Sequence, residues 1–276
     1  MAKLYIVEGL PCSGKSTAAR YIADTLEKGD QTVRFYDEGT GEHPADYEFH
    51  AYILPSELSA FSAEEQEEIM RHVQVKSDGI VLPLSAFSGS LFDKLLQHKI
   101  YDFLPWETEK PLMLDKWRTF VKQADVNAVY VFNCVFLQNP MCETMMRFNL
   151  SYEESLAYIR EIAEIIAPLD PCVVYLKNDD IAERIEYTAK EREGWLDAVI
   201  DYHINGSYGK SINAQGFEGY ISCLEERQKR ELRILAQLPV QSIVIDNMHR
   251  DYEEAYEKIK TLISLCPPAD PKLPRL

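Results

Sequence analysis

Short β-branched runs alternate along this chain with stretches whose apolar residues recur every three to four positions, the two periods that separate buried strands from amphipathic helices. KLYIVE, from Lys3 to Glu8, predicts a first strand, GLPCSGKS a turn, and STAARYIADTLEKG, from Ser16 to Gly29, a helix closed by glycine. QTVRFY, from Gln31 to Tyr36, predicts a second strand, with the acidic pair Asp37 and Glu38 at its end before GTGEHPAD. Ser62 followed by Glu65 forms a capping box that opens a helix through Val75. From 80 to 127, IVLPLSAF and LFDKLLQHKIYDFLPW precede the polar ETEKP and the helical MLDKWRTFVKQA, which predicts a mainly helical elaboration.

AVYVFNCVFL, at 128–137, predicts a buried parallel strand broken by Asn139 and Pro140. A second capping box, Ser151 with Glu154, opens YEESLAYIREIAEIIA, and CVVYL at 172–176 makes a further strand. Asp180 and Glu183 repeat the capping pattern before IAERIEYTAKERE. GW, NGSYGKS and QGFEG make 194–219 an irregular, peripheral region, followed by the helix YISCLEERQKRELRILAQL. SIVIDN, at 242–247, is the last strand, DYEEAYEKIKTLISL the closing helix and PPADPKLPRL a loose tail.

The recurrence of strand then helix predicts an α/β fold of three layers, a mainly parallel sheet with helices on both faces. The chain reads as one domain over 1–266, carrying the elaboration at 80–127 and a lid or peripheral region at 184–219, with a tail at 267–276. A net charge of −16 gives the average surface no attraction for a phosphate backbone, so nucleic acid is not an expected partner. No run reaches the ~18 apolar residues of a membrane span, and the first strand is too short for the apolar core of a signal peptide. Six scattered cysteines without a CxxC pair fit reduced thiols in a cytoplasmic chain, and six scattered histidines form no zinc pattern.

One motif carries specific chemistry. Gly9, Leu10, Pro11, Cys12, Ser13, Gly14, Lys15, Ser16 and Thr17 satisfy GxxxxGK[ST] between a predicted strand and a predicted helix. Glycines let backbone N–H groups turn inward around phosphate oxygens, the helix start offers further donors, Lys15 reaches terminal phosphates and Ser16 ligates Mg²⁺. ATP and Mg²⁺ are the expected ligands.

On these residues, and on the order of elements from the first strand to SIVIDN, the chain resembles the P-loop kinases of the nucleotide-hydrolase superfamily, especially thymidylate-kinase-like and nucleoside-kinase-like proteins. The resemblance implies that an acid at the end of the second strand approaches the acceptor, for which Asp37 or Glu38 stands in place. It also implies arginines on a lid helix, matched by Arg184 and Arg192, and leaves a homodimer open. The strand that ordinarily ends in a metal-binding Asp ends here near Asn133, so the metal relies on Ser16, water and an acid elsewhere. No NKxD or DRY-type motif is present.

The remaining candidates weigh less. Asp37 and Glu38, adjacent on an extended segment, are expected to point apart and to differ in role. Arg147 after NPMCETMM is a candidate for substrate phosphate, against a structural salt bridge, and Glu143 is a weaker substitute for the missing acid. Phe132, Phe136 and Phe148 read as core, while Phe87, Trp106 and Trp117 line either an acceptor pocket or the core of the elaboration. Arg227, Lys229, Arg230 and Arg233 are interleaved with glutamates, as on a solvated helix. The expected activity is ATP-dependent phosphoryl transfer to a hydroxyl- or phosphate-bearing small molecule, with nucleosides and nucleotides among the candidate acceptors and a nucleotide-dependent switch of weak ATP hydrolysis as the alternative.

Overall fold

In the computed structural model, which describes residues 3–192, 194–247 and 252–268, the buried β-branched runs form strands and the apolar stripes form helices. In chain order these are β1 (Lys3–Gly9), α1 (Lys15–Lys28), β2 (Thr32–Tyr36), β3 (His50–Ile53), α2 (Ala63–Met70), β4 (Gln74–Val75), β5 (Ile80–Pro83), α3 (Gly89–Leu96), α4 (Trp106–Gln123) and β6 (Ala128–Asn133). They continue as α5 (Tyr152–Ile166), β7 (Pro171–Lys177), α6 (Ile181–Ala189), α7 (Trp195–Ile204), α8 (Gly216–Leu235), β8 (Gln241–Asp246) and α9 (Tyr252–Leu265). The chain divides into two units, one formed by the residues up to Glu38 and from Arg118 onward, the other by Gly39–Trp117.

The first unit is a three-layer α/β fold around a five-stranded sheet in the order β2-β6-β1-β7-β8. Every neighbouring pair is parallel, with Tyr5 beside Val131 on one side and Cys172 on the other. All seven residues of β1 are buried, as a central strand covered on both faces requires. Tyr5, Val7, Val131 and Val174 face Ala19 and Ile22 of α1 and Ile259 of α9. Alternate residues serve the opposite face, where Tyr175 donates to Glu231 of α8 at 2.6 Å and Phe132 meets Phe120, in the last turn of α4, at 5.0 Å. Because β1 lies mid-sheet, the loop that follows it opens at the centre of the sheet's C-terminal edge, where ligands of open α/β sheets bind.

The second unit contains a three-stranded antiparallel sheet, β3-β5-β4, that packs Ala51, Ile53 and Leu82 against Phe61, Ile69 and Leu95. Its α2 carries the expected capping box, with Glu65 N donating to Ser62 Oγ at 3.2 Å and Ser62 N to Glu65 Oε2 at 2.8 Å. Of the elaboration expected at 80–127, residues 80–117 fall in the unit Gly39–Trp117 and the rest in the first unit, and β5 (Ile80–Pro83) is strand within it. α4 runs through Pro111, starting earlier than ETEKP suggests.

Several boundaries differ from expectation for identifiable reasons. The strand at 128–137 ends at Asn133, because Cys134 turns to φ 71° and the following backbone N–H groups bond a buried carboxylate instead of the sheet. The region 194–219 is helical, with α7, a short helix at Ser207–Ser211 and the start of α8 packed through Trp195, Val199 and Phe217 on Ile185 and Tyr220. Asp180 makes no side-chain cap; its own N–H instead donates to Asn178 Oδ1 at 3.1 Å in a local turn. The helix expected through Val75 stops at Met70, and Gln74–Val75 pairs with β5. No described helix is long and apolar enough to cross a membrane. Glu193 and the greater part of the tail, 269–276, lie outside the described residues.

Candidate functional site

The loop from Gly9 to Gly14 is shaped by close approach on both sides. A Cβ on Gly9 (φ 143°) would lie 2.5 Å from Leu176 O, and one on Gly14 (φ 93°) would lie 3.2 Å from Asn247 Nδ2. Asn247, just past β8, donates to Ser13 O at 2.8 Å and so clamps the loop to the far side of the sheet. Cys12 adopts φ 64°, and Ser13 N donates to Leu10 O at 3.3 Å, closing the turn ahead of α1. α1 starts on Gly14 without a side-chain cap and without an acidic residue in its first turn, so its positive end meets no carboxylate of its own. Lys15 is buried and donates to Leu10 O at 2.8 Å, while Ser13 Oγ is buried without a partner. This donor set fits the phosphates of a nucleotide.

The ends of β2 and β6 bring an acid to Ser16. Asn133 Nδ2 donates to Asp37 Oδ1 at 2.7 Å and lies 3.1 Å from Ser16 Oγ. Glu38 points elsewhere, accepting from Cys134 Sγ at 3.2 Å and from Gln138 Nε2 at 2.8 Å. The two neighbouring acids thus divide, one beside the loop and one beside the segment that follows β6. One carboxylate, one hydroxyl and room for water match what Mg²⁺ takes from a protein when phosphates supply the rest. Among the described residues no cluster of three or more His, Cys, Asp or Glu could hold a metal unaided.

Glu8 explains the turn after β6. Its fully buried carboxylate accepts from Phe136 N at 2.7 Å and Gln138 N at 3.0 Å, and burial pushes its pKa up to about 7. An acidic residue inside an otherwise apolar strand was the signal for it.

A cleft of about 660 Å³ opens over the loop, floored by Pro11, Cys12 and Gly14 to Thr17. α6 and α7 contribute Tyr187, Thr188, Trp195 and His203 with Glu191 and Arg192 from the connection between them; Gln138, Cys142, Tyr220 and Arg227 close the inner end beside Glu38. Of the three arginines expected at the site, Arg192 lines the cleft, exposed and 5.7 Å above the Trp195 ring. Arg184 is half-buried on α6 and does not line it. Arg147 is bound to Glu143 at 2.7 Å in the π-helical turn at Cys142–Arg147 and lies over the Phe148 ring, and neither it nor Glu143 lines the cleft.

The basic stretch of α8 is only partly a solvated face. Arg230 and Lys229 pair with Glu226, and Arg233 covers Tyr152, but Arg227 is 1% exposed, with its Nε 2.9 Å from the buried Glu231. Tyr220, Leu224, Arg227, Glu231 and Ile234 recur at helical spacing, so the pair occupies core positions of an apolar stripe. That spacing was the signal for Arg227. His203 and Tyr220, in and after the stretch read as irregular, offered none.

No protein-family model and no curated protein matches the chain. Among solved structures it is similar to the YorR protein of Bacillus subtilis in complex with phosphorylated GDP, at 13% identity over 95% of this chain and 96% of that one, with a TM-score of 0.44. It is also similar to thymidylate kinase from Candida albicans, at 11% identity over 96% of this chain and 92% of that one, and to thymidylate kinase from Ehrlichia chaffeensis, at 11% over 95% and 98%, each with a TM-score of 0.44. At such identities and scores these similarities assign no activity, and the functional reading rests on the chain's own loop and cleft.

Proposed function

We propose that the protein is an ATP-dependent kinase of a small molecule. The observation that carries this reading is the convergence of Lys15, Ser16 and Glu38 on one cleft, with Asp37 joined to Ser16 through Asn133. The loop N–H groups and the start of α1 hold the nucleotide phosphates, and Lys15 exchanges Leu10 O for a terminal phosphate oxygen. Ser16 and Asp37 hold Mg²⁺, whose chemistry here is to offset the charge that accumulates between the terminal phosphates.

Phosphoryl transfer asks the protein mainly for position and charge stabilisation. Glu38 orients the acceptor hydroxyl and takes its proton as the new phosphorus–oxygen bond forms and the bond to the ADP oxygen breaks. Arg192, on the exposed wall of the cleft, supplies planar donors to the transferring group. The test is incubation with ATP and Mg²⁺ against pooled nucleosides, nucleotides, sugars and hydroxylated antibiotics, reading product mass and ADP together. A product heavier by one phosphate, absent with Lys15→Ala, supports the reading; ADP without such a product favours a nucleotide-dependent switch.

A further inference from the structure

We infer that the inner end of the cleft takes an acceptor that carries hydroxyl or amino groups and no phosphate, an inference that rests on the kinase reading above. Gln138, His203, Tyr220 and Arg227 line that end and are 7%, 6%, 0% and 1% exposed. Each holds a buried polar atom that no protein group meets: Gln138 Oε1, His203 Nε2, Tyr220 Oη and Arg227 Nη2. Unmet buried polar atoms are costly and few in folded proteins, so four around one opening mark a place where a polar ligand completes the bonding.

The bonds already made fix what these atoms ask for. His203 Nδ1 lies 2.7 Å from Val199 O, and since a carbonyl only accepts, Nδ1 carries the proton and Nε2 is left as an acceptor. Burial, reinforced by Arg227, lowers the His203 pKa to about 4 and keeps the ring neutral. Gln138 gives its Nε2 to Glu38, which leaves Oε1 as a second acceptor. Tyr220 Oη donates or accepts. Arg227 brings a positive charge, but Glu231 lies 2.9 Å from its Nε, and Cys142 Sγ, a neutral thiol pushed up to about 11, takes Nη1 at 3.2 Å.

A phosphate monoester at this end would meet two acceptor lone pairs and the Glu38 carboxylate against one open guanidinium nitrogen, Arg227 Nη2, whose charge Glu231 already offsets. A hydroxyl or amino group meets the acceptors as a donor. The other described cations of the cleft, Lys15 in the loop and Arg192 on the exposed wall, stand with the nucleotide and the transferring group.

The test holds the full chain with Mg²⁺ and a non-hydrolysable ATP analogue, and uses ligand-observed NMR against two matched pools. One contains nucleosides, sugars and amino sugars; the other contains their monophosphates. Binding from the first pool is expected, weakened about tenfold by Tyr220→Phe and by His203→Phe, with thermal unfolding of both variants confirming that they fold. Binding of the monophosphates, or of neither pool, overturns the inference, and so does unchanged affinity in both folded variants, which would leave only water at these atoms. A compound that binds but gains no phosphate when ATP replaces the analogue leaves the subsite standing and removes the kinase reading; phosphorylated monophosphates do the reverse.

Discussion

Asn133 at the end of β6 holds Asp37 at the end of β2, Nδ2 to Oδ1 at 2.7 Å, and the same amide lies 3.1 Å from Ser16. An amide at the end of β6 thus keeps a carboxylate from the neighbouring strand beside Ser16, the hydroxyl proposed above to bind Mg²⁺. Asp37→Asn is expected to lower Mg²⁺-dependent turnover by about 100-fold, the scale of losing one electrostatic stabiliser in a preorganised site, with unfolding unchanged within ~0.5 kcal/mol. Asn133→Asp sets a second carboxylate against the first, so its stability is expected to fall without Mg²⁺ and to recover on adding it. Turnover at graded Mg²⁺ checks the first and thermal unfolding across a Mg²⁺ titration the second.

The buried Glu8 makes stability depend on pH in a direction unusual for a carboxylate. Burial raises its pKa from 4.5 to about 7, so between those values the folded state binds more protons than the unfolded state. Stability from this group is then present below pH 4.5 and lost as pH rises through 7, by about 3 kcal/mol. Glu8→Gln keeps one acceptor oxygen but sets an NH₂ group against a backbone N–H. It is expected to lower stability at pH 5 and to flatten the decline towards pH 8 in denaturant unfolding.

Two buried histidines act with the opposite sign. His203 is lowered to about 4 and His43 to about 3, chiefly by burial, so their neutral forms belong to the fold. Their contribution is present above pH 6.5 and is lost as pH falls from there towards the folded values. Ring-proton NMR shifts of both should stay flat from pH 8 to pH 5. Titration of either near pH 6.5 in the folded protein would contradict the placement.

The Arg227–Glu231 pair should be costly to break and cheap to replace. Arg227→Met leaves Glu231 buried without its guanidinium partner, with Tyr175 still donating to it, and is expected to cost about 3–5 kcal/mol. The double change Arg227→Met with Glu231→Leu should recover much of that loss. A double-mutant cycle in denaturant measures the coupling.

The parallel sheet was legible because its strands are short β-branched runs, buried along β6, β1 and β7 at its centre, separated by amphipathic helices. The loop was legible because its glycines and Lys15 follow from backbone geometry and charge. The antiparallel sheet of the second unit was not, since β3 is four residues long and β4 is two exposed ones, Gln74 and Val75, too short for any period to register. The inner end of the cleft was hidden for a different reason. Gln138 follows β6 while His203, Tyr220 and Arg227 come from α7 and α8, and a polar residue at a core spacing, such as Arg227, reads as a surface residue until its partner is placed.

The account's central claim is transfer of the terminal phosphoryl group to a bound acceptor. The direct test is ATP labelled with ¹⁸O in that group, incubated with Mg²⁺ and the acceptor pool, with product and inorganic phosphate read by mass. The account predicts label in a phosphorylated acceptor with the native chain and none with Lys15→Ala. Label recovered only as inorganic phosphate, again dependent on Lys15, would contradict it.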